Sequence, residues 1–379
     1  MEKRNIYISQ PVLGEEEWQA CREPLFSGWV TQGPKVKAFE QRFAQIHGVK
    51  HAFAVTSCTT GLHLALEALG IGPGDDVLVP AFTWVATANA VLYVGANPIL
   101  VDIEIPSFNI SIEDFKRKLT PKTKAVIPVH LFGLCADIDA IKKIAPEIKI
   151  VEDAACAAGA KYNGKYAGNL GDIASFSFHP RKSITTGEGG MVTTNDDALA
   201  ERMDKLRNHG AEISEEQRHH GPKPYILPDF NMMGFNFRMT DLQGAVGLVQ
   251  IEKLQGFIEE REKWALYYTE ALKDIKWFQM PIIPKAYKHG WQSFACFIDE
   301  KTSPLSRNEI MEKLQEMGIS TRPGTHAIHM LNFYKDKYGF KAQDFPNAQL
   351  ANDQSIAIPL HNRMVKEDYD YVIAALKSF

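Results

Sequence analysis

Lys182 is the residue of this sequence whose type and position most directly suggest chemistry. It follows a strand-like alternation at residues 174–178 and precedes a glycine-rich turn at residues 187–190. A lysine amine can form a Schiff base with a carbonyl group, and its pKa shifts readily when it is desolvated or lies near another cation. Arg181 is its neighbour in the sequence. Lys182 could therefore be a covalent catalyst, although this segment alone is equally compatible with an ordinary loop lysine.

A second candidate is Asp153, in the segment IKIVEDAA. This segment predicts a short apolar strand that ends in Glu152 and Asp153. In open α/β sheets, ligands bind outside the carboxyl ends of the strands. An acid there could pair with the pyridine nitrogen of pyridoxal phosphate (PLP) and keep the ring protonated, so that it accepts electrons released at a substrate carbon. The alternative is that Asp153 caps the following helix; together with Lys182, the cofactor role is favoured.

The segment HAFAVTSCTTGLHLALEALG predicts a helix N-terminus that could hold an anion. A strand at residues 52–55 leads into hydroxyl-bearing residues, including Ser57 and Thr59, and then into a helix with one leucine-rich face. Free backbone N–H groups of the first turn and the helix dipole both favour a phosphate. The alternative is that the hydroxyls satisfy only their own helix. The sequence contains neither GxxxxGK[ST] nor GxGxxG after a strand, so nucleotide-binding loops of those kinds are not predicted.

Alternating strand and helix patterns would position these residues. Strands are predicted at residues 52–55, 77–79, 99–103, 125–129, 148–151, 174–178 and 191–194. This alternation indicates a mostly parallel sheet with helices on both faces. A long helix beginning near Asp241 would bridge to a smaller α+β domain, with a strand at 291–299 and a capped helix at 306–318. The predicted domains are 1–249, which would bind the cofactor, and 250–379.

Composition narrows the class of protein and its surroundings. The 379 residues fit a large plus a small domain, and 42 Lys and Arg against 46 Asp and Glu give a net charge of −4. Without a basic block, neither nucleic acid nor a membrane surface is expected as a partner. The five cysteines lack metal-ligand spacing, which predicts no metal site and a reducing cytoplasm. The N-terminus lacks the apolar stretch of a secretion signal, so the protein is expected to be cytoplasmic.

Seven ordered segments together resemble the sugar aminotransferases of the DegT/DnrJ/EryC1/StrS family, within the aspartate aminotransferase superfamily (fold type I). They are residues 27–44, SCTTGLHLAL, 79–91, VHLFG, VEDAA, SFSFHPRKSITTGEGG and 234–250. The resemblance covers nearly the whole chain. It implies an α/β fold, in which a large domain with a mostly parallel sheet sandwiched by helices is joined to a smaller C-terminal α+β domain.

The resemblance also implies pyridoxal 5'-phosphate as the cofactor and a role for each matching residue. Lys182 would be the catalytic lysine that bonds to the cofactor, and Asp153 would pair with the pyridine nitrogen. Trp84 would stack on the ring, whereas an aromatic in an apolar run more often packs in a core. The implied phosphate ligands are Thr59, Thr60 and Ser177, with Asn236 reaching the same phosphate from the neighbouring subunit of a homodimer.

Some positions depart from the family pattern or carry less weight. Cys156 stands where many members have Gln or Glu, so the usual hydrogen bond to the ring hydroxyl is in doubt, since Cys is a weak donor. Residues 211–230 form a predicted loop, either functional or a surface insertion. The RPGTHA segment, 322–327, differs from several relatives, so its substrate contacts are not transferred. His130 and Arg238 lie in family motifs, but a lone His after a strand is more often structural.

The activity that the resemblance implies is a two-stage transamination. L-Glutamate would give its amine to the cofactor, with Lys182 as general base and acid, and the amine would then pass to a nucleotide-linked keto sugar in the biosynthesis of deoxyamino sugars and polysaccharides. The combination of TTGEGG with GFNFRMTDLQ resembles relatives that aminate C4 of a 4-keto-6-deoxy sugar. Alternatives are a C3 aminotransferase, a PLP-dependent sugar dehydratase and a non-catalytic regulatory protein on the same fold.

Overall fold

The computed structural model describes residues 3–105, 107–213, 225 and 227–379. The strands are β1 His51–Val55, β2 Asp76–Pro80, β3 Phe82–Thr83, β4 Asn97–Val101, β5 Thr123–Val126, β6 Lys149–Asp153, β7 Lys161–Tyr162, β8 Lys165–Tyr166, β9 Ile173–Ser177, β10 Gly190–Thr194, β11 Phe278–Gln279, β12 Tyr287–Lys288, β13 Phe294–Ile298, β14 His326–Ala327 and β15 Ser355–Ile358. Most of the predicted loop at 211–230 lies outside the described residues.

Helices cover much of the remaining described chain. They are α1 Glu15–Ala20, α2 Arg22–Ser27, α3 Pro34–His47, α4 Cys58–Ala68, α5 Ala86–Tyr93, α6 Ile112–Lys118, α7 Ile138–Ile144, α8 Asp197–Arg207, α9 Asp241–Leu272, α10 Arg307–Glu316, α11 Asn332–Tyr338, α12 Pro346–Gln354 and α13 Lys366–Lys377. No helix in the described part of the chain combines the length and apolar character needed to cross a membrane.

The largest sheet has seven strands in the order β1-β10-β9-β6-β5-β2-β4. Only β10 runs against its two neighbours, and the remaining neighbouring pairs are parallel. This sheet confirms the predicted α/β class, and all seven predicted strands have a counterpart in it. The fourth ends earlier than expected, at Val126 instead of residue 129. Pro128 gives the reason, because it has no N–H group to donate to a sheet ladder.

The sheet packs against helices on both faces, since alternate residues of its strands point in opposite directions and apolar side chains are present on each face. Along β2, Val77 and Val79 belong to one apolar cluster, which also contains α4 and α5 residues such as Leu62 and Val91. Leu78, between them, belongs to a second cluster, together with side chains of α3 and α9. Both faces of this strand are therefore buried, and its sequence is accordingly a continuous apolar run.

A third apolar cluster surrounds a smaller antiparallel sheet of order β11-β13-β15. The predicted strand at 291–299 is confirmed as β13, and the predicted helix at 306–318 as α10. Ser306 caps α10 by accepting the N–H of Glu309, and Gly318 follows its end with φ 82°. Ile6, near the start of the chain, belongs to this third cluster.

Helix α9 connects the packing around the two sheets. It has 32 residues and is therefore about 48 Å long. Leu254 and Ile258 pack in a cluster of the large sheet, whereas Ala265 and Tyr268 pack in the cluster of the small sheet. The predicted long helix is confirmed. The division of the chain between residues 249 and 250 stays a prediction, and the helix runs across it.

Candidate active site

The register of the large sheet brings several predicted site residues to one edge. Asp153, the last residue of β6, pairs with Ser175 of β9. Two residues further along β9, Ser177 pairs with Gly190 of β10, which in turn pairs with Val55 at the end of β1. Neighbouring strands lie about 4.8 Å apart, so these residues span only three strand spacings. The segment that follows Val55 therefore starts two strand spacings from Ser177, with Gly190 of β10 between them.

That segment turns into α4 with a capping arrangement at its first residues. The Ser57 hydroxyl accepts the N–H of Thr60 at 3.1 Å, and the Thr60 hydroxyl accepts the N–H of Ser57 at 3.0 Å. Thr59 is half-buried, and within the described residues its hydroxyl has no hydrogen-bond partner. The capping role and the phosphate-binding role are compatible here. The cap uses Ser57 and Thr60, while the amides of Cys58 and Thr59 precede the first intrahelical hydrogen bonds and are not used by the helix.

Two glycines allow the start of α4 to lie against β9 and β10. A Cβ atom on Gly190 would lie 2.6 Å from the carbonyl carbon of Ser57 and 2.7 Å from the nitrogen of Cys58. A Cβ atom on Gly61 would collide with the Ser175 hydroxyl, which donates to the Cys58 carbonyl at 3.0 Å. Gly61 lies inside a helical pattern, so nothing in the sequence distinguished it from a glycine that could be replaced.

Asp153 is held in a fixed orientation at the end of β6. Its side chain is buried, with 4% of the residue exposed. The Thr87 hydroxyl donates to Oδ2 at 2.8 Å, and the Ala155 N–H donates to Oδ1 at 3.2 Å. The Cys58 thiol lies 3.9 Å from Oδ1, and burial together with the charge of Asp153 raises the pKa of Cys58, which keeps the thiol protonated.

Sequence analysis missed Thr87 as a member of this site. Thr87 lies in the first turn of α5, three residues after Trp84, and it reaches the carboxylate of Asp153 from a different layer of the fold. The only available signal was the TWVAT run, in which a hydroxyl follows the predicted ring-stacking residue at helical spacing.

Glu152 and Asp153 point to opposite faces of β6. Glu152 is fully buried and accepts hydrogen bonds from the imidazole of His130 at 2.8 Å and from the amides of Gly168, Leu170 and Gly171. Burial would raise the pKa of Glu152, but His130 and these amides lower it. The second ring nitrogen of His130 accepts the N–H of Ala136 at 3.0 Å. His130 is thus a buried residue with both nitrogens hydrogen-bonded, as expected for a structural histidine.

The amine of Lys182 contacts the thiol of Cys156, with 3.2 Å between Nζ and Sγ. Removal from bulk water disfavours the charged amine, but the contact with Cys156 and the charge of the Asp153 carboxylate outweigh it and raise the pKa of Lys182. Cys156, for which sequence analysis left the role open, therefore lies beside the candidate catalytic amine.

A tight turn positions Lys182 after β9. The N–H of Lys182 donates to the His179 carbonyl at 2.8 Å, and the Thr185 hydroxyl donates back to the Phe178 carbonyl at 2.7 Å. Gly189 has φ 154°, and a Cβ atom there would lie 2.7 Å from Met239. The glycine-rich segment after Lys182 is thus required by the path of the backbone.

Trp84 lies at the surface of the site and not in a core. It follows β3, is 60% exposed and meets the ring of His326 edge-on at 5.4 Å. β14, which begins at His326, pairs with β3, so part of the RPGTHA segment lies beside Trp84. The core-packing alternative for Trp84 is wrong, and an accessible indole face agrees with a role in stacking on a ring, which stays a prediction.

Asn236 and Arg238 have different surroundings. Asn236 is exposed, while its backbone bridges to Asn208. The backbone of Arg238 bridges to Val55, and its guanidinium donates to the Asn208 side chain at 2.7 Å. Arg238 therefore belongs to the surroundings of the β1 end within one chain. An exposed Asn236 agrees with the predicted contact to a neighbouring subunit, which stays a prediction.

The residues at this edge fit pyridoxal phosphate. An amine at Lys182, a buried and oriented carboxylate at Asp153, an accessible ring at Trp84 and a helix start next to Ser177 provide the groups needed for its aldehyde, ring nitrogen, ring face and phosphate. Together with the sheet topology, they are typical of a PLP-dependent aminotransferase of fold type I.

Comparison with known proteins shows the family directly. The family model of the DegT/DnrJ/EryC1/StrS aminotransferase family matches residues 11–377, and the chain belongs to this family. Its similarity to SpsC of Bacillus subtilis, a spore coat polysaccharide biosynthesis protein, is 37% identity over 382 residues, covering 100% of this chain and 98% of SpsC.

Solved structures give the same result. Spr1654 of Streptococcus pneumoniae, described as a sugar aminotransferase, matches with a TM-score of 0.91 and 28% identity over 99% of this chain and 97% of its own. It has been solved in PMP and PLP forms. Helicobacter pylori PseC, an aminotransferase of pseudoaminic acid biosynthesis, matches with a TM-score of 0.91 and 27% identity over 99% of both chains. The chain is a sugar aminotransferase that uses pyridoxal phosphate.

Proposed function

We propose that this chain transfers the amino group of L-glutamate to C4 of a nucleotide-linked 4-keto-6-deoxy sugar. The observation that carries the transamination is the placement of the Lys182 amine in one site with the buried Asp153 carboxylate. The preference for C4 is supported by the TTGEGG and GFNFRMTDLQ segments. The names of SpsC and PseC support a role in polysaccharide or deoxyamino sugar biosynthesis.

Two residues carry the proton chemistry in this proposal. When bound, the cofactor supplies an electron sink for the bond broken at the amino donor. Lys182 would hold the cofactor through Nζ, and its free amine would take up at Nζ the proton that leaves the donor's Cα. Asp153 holds a proton at the pyridine nitrogen, and Thr87 keeps its carboxylate aimed at that position.

The remaining site residues bind and orient. Thr59, Thr60 and Ser177 are proposed as phosphate ligands, supported by the start of α4 and its alignment with the end of β9. Trp84 covers one face of the ring. Cys156 stays next to Lys182 and takes the place in which many relatives have an amide or acid.

A homodimer with shared active sites is part of the proposal. Large apolar side chains are exposed on α1, α2 and the segment before Asn236; Phe26 and Met233 are 82% and 81% exposed. Large exposed apolar side chains are candidates for burial in a protein interface. If a second subunit covers Met233, the nearby Asn236 is carried towards the partner's site.

A reducing compartment, the cytoplasm, is proposed as the location. The five cysteines, including the half-buried Cys21 and Cys156, are all free. Disulfide bonds are common in oxidising compartments, and free thiols are typical of a reducing one. A thiol next to the catalytic amine also requires protection from oxidation, because an oxidised Cys156 would alter the surroundings of Lys182.

The first test is the visible absorption spectrum of the purified protein with PLP, before and after excess L-glutamate. We expect a band that depends on Lys182, disappears with glutamate and is absent from Lys182→Ala, while the exposed Lys124→Ala control behaves as wild type. A wild-type protein without this band would contradict cofactor attachment, and a band that persists with glutamate would contradict the proposed donor.

The acceptor is tested next. Protein loaded with the amine by glutamate is mixed with nucleotide-linked 4-keto-6-deoxy or 3-keto sugars, and the product is examined by NMR. We expect the new amine on C4. Amination only of the 3-keto sugars would contradict the C4 assignment, and loss of water from the sugar without amine transfer would contradict transamination.

A further inference from the structure

A cavity of about 380 Å³ lies beside the loop that carries Lys182. Its walls come from the N-terminal segment, the end of α10, the segment that follows α10 and the lysine loop itself. The lining residues are Tyr7, Ile8, Ser9, Gln315, Ser320, Thr321, Arg322 and Arg181. Backbone hydrogen bonds from Ile6 to Gly318 at 2.8 Å and from Ser320 to Ile6 at 2.9 Å hold the N-terminal segment in place.

Two exposed arginines, Arg181 and Arg322, line this cavity, and none of its lining residues carries a carboxylate. Within the residues that the structure describes, neither Arg181 nor Arg322 forms an ion pair, and neither side chain has a hydrogen-bond partner. Other arginines of the chain are paired, such as Arg207 with Asp204 and Arg4 with Asp368. Burial and the nearby charge of Arg322 both lower the pKa of Arg181, as expected when two like charges share one space.

Both arginines are carried by hydrogen-bonded backbone, and Arg181 is the sequence neighbour of Lys182. Arg181 directly precedes Lys182, so their Cα atoms are about 3.8 Å apart. The Arg181 carbonyl accepts a hydrogen bond from the Gln292 side chain at 3.0 Å. Arg322 exchanges backbone hydrogen bonds with Ala357 at 3.2 and 2.7 Å. A ligand held between them would thus contact the loop that carries Lys182.

We propose that this cavity is an anion subsite in which Arg181 and Arg322 bind a carboxylate or phosphate group of a substrate. A guanidinium donates two parallel hydrogen bonds to either group, and an anion would relieve the repulsion between the two cations. The hydroxyls of Ser9, Ser320 and Thr321 provide further donors. The inference rests on the proposed function, because both proposed substrates carry such groups: L-glutamate has two carboxylates and the nucleotide sugar has a diphosphate.

The binding test uses inorganic pyrophosphate and glutarate as probes, titrated into PLP-loaded protein by calorimetry at low ionic strength. We expect at least one probe to bind and Arg181→Gln or Arg322→Gln to weaken it about tenfold or more. Arg202→Gln, which removes an exposed arginine of α8, is the matched control and should bind as wild type. Arg181→Lys and Arg322→Lys should retain part of the affinity, because they keep the positive charge but lose the planar guanidinium that donates two parallel hydrogen bonds.

The two half-reactions distinguish whether the bound anionic group belongs to the amino donor or to the nucleotide sugar. A higher glutamate concentration for half-maximal conversion in the Arg variants would assign the subsite to the donor carboxylate. Unchanged glutamate conversion with weaker nucleotide-sugar binding would assign it to the diphosphate. Circular dichroism verifies that each variant is folded.

The inference would be overturned if both Gln variants, correctly folded, bound both probes as tightly as wild type, or if wild type bound neither. This result is distinct from failure of the proposed function, because probe binding requires no turnover. A protein that binds pyrophosphate through these arginines but leaves glutamate unconverted would retain the subsite and lose the proposed donor.

Discussion

The pKa of Lys182 connects a single side-chain contact with a measurable rate. Because Cys156 and Asp153 together favour its charged form, the free amine of Lys182 is scarce near neutral pH. Only the neutral amine can attack an aldehyde. Below the pKa, the neutral fraction falls about tenfold for each pH unit, so attachment of the cofactor is expected to slow as the pH is lowered.

We therefore predict that the rate of PLP attachment rises from pH 7 to pH 9 and that Cys156→Ala shifts this dependence to lower pH. Loss of the thiol removes a contact that raises the pKa of Lys182. Stopped-flow absorbance after mixing with PLP measures the rate. Cys21→Ala, at a half-buried cysteine elsewhere, is the control. A Cys156→Ala profile that coincides with wild type would contradict this role of the thiol.

The hydrogen bond from Thr87 to Asp153 gives a second prediction at this scale. Thr87→Val keeps the shape of the side chain but removes the donor at 2.8 Å from Oδ2. We expect a loss of about 1–2 kcal/mol in the stability of the site and a fall in PLP affinity. Spectroscopic titration with PLP measures the affinity. Thr269→Val, whose hydroxyl bonds only to its own helix at Ala265, should leave it unchanged.

Neither the contact between Lys182 and Cys156 nor the hydrogen bond from Thr87 to Asp153 could be predicted from the sequence. Lys182 and Asp153 could be proposed as site residues because each lies in a short segment that is typical of the role predicted for it. Thr87 and the Lys182–Cys156 contact depend on packing between separate layers, which no local pattern encodes. The opposite directions of Glu152 and Asp153 follow from strand alternation, but the partners of Glu152 come from a loop whose path the sequence did not reveal.

At the scale of elements, the position of α4 decides where its N-terminal amides point. The seven strands of the large sheet were predictable from apolar runs and turn residues, and β5 ended early at a residue type that explains it. The close approach of α4 to β9 was not predictable, because the sequence does not tell whether a glycine inside a helix is needed for close packing or could be replaced.

Gly61→Ala tests this approach. The added Cβ would collide with the Ser175 hydroxyl and lie 2.8 Å from Val192, so α4 must shift. We expect about 1–3 kcal/mol of destabilisation and weaker PLP binding. Gly256→Ala is a matched control, since Gly256 also lies within a helix but has no atom within 4 Å of the new methyl group. The control should stabilise the protein by about 0.5–1 kcal/mol. Denaturant unfolding measures both; a Gly61→Ala protein as stable as wild type would contradict the argument.

At the scale of the whole molecule, the proposed dimer would bury exposed apolar side chains such as Phe26. We predict that Phe26→Asp converts a dimer, of twice 42.5 kDa, to a monomer of 42.5 kDa. A carboxylate buried there would lack a partner and would oppose association. Light scattering after size exclusion measures the mass. Val365→Asp, at an exposed apolar residue of the C-terminal region, should remain dimeric, and a dimeric Phe26→Asp would remove this surface from the proposed interface.

The backbone pairing of Ile6 with the segment at residues 318–320 can form only late in the synthesis of the chain. Ile6 is made early, but its partners Gly318 and Ser320 follow more than 300 residues later. At about 5–20 residues per second, the ribosome takes roughly 15–60 s to add them. The wall of the arginine cavity formed by Tyr7, Ile8 and Ser9 is therefore among the first parts of the chain to be translated and among the last to be put in place. Any fragment that stops short of residue 318 leaves that wall without its support.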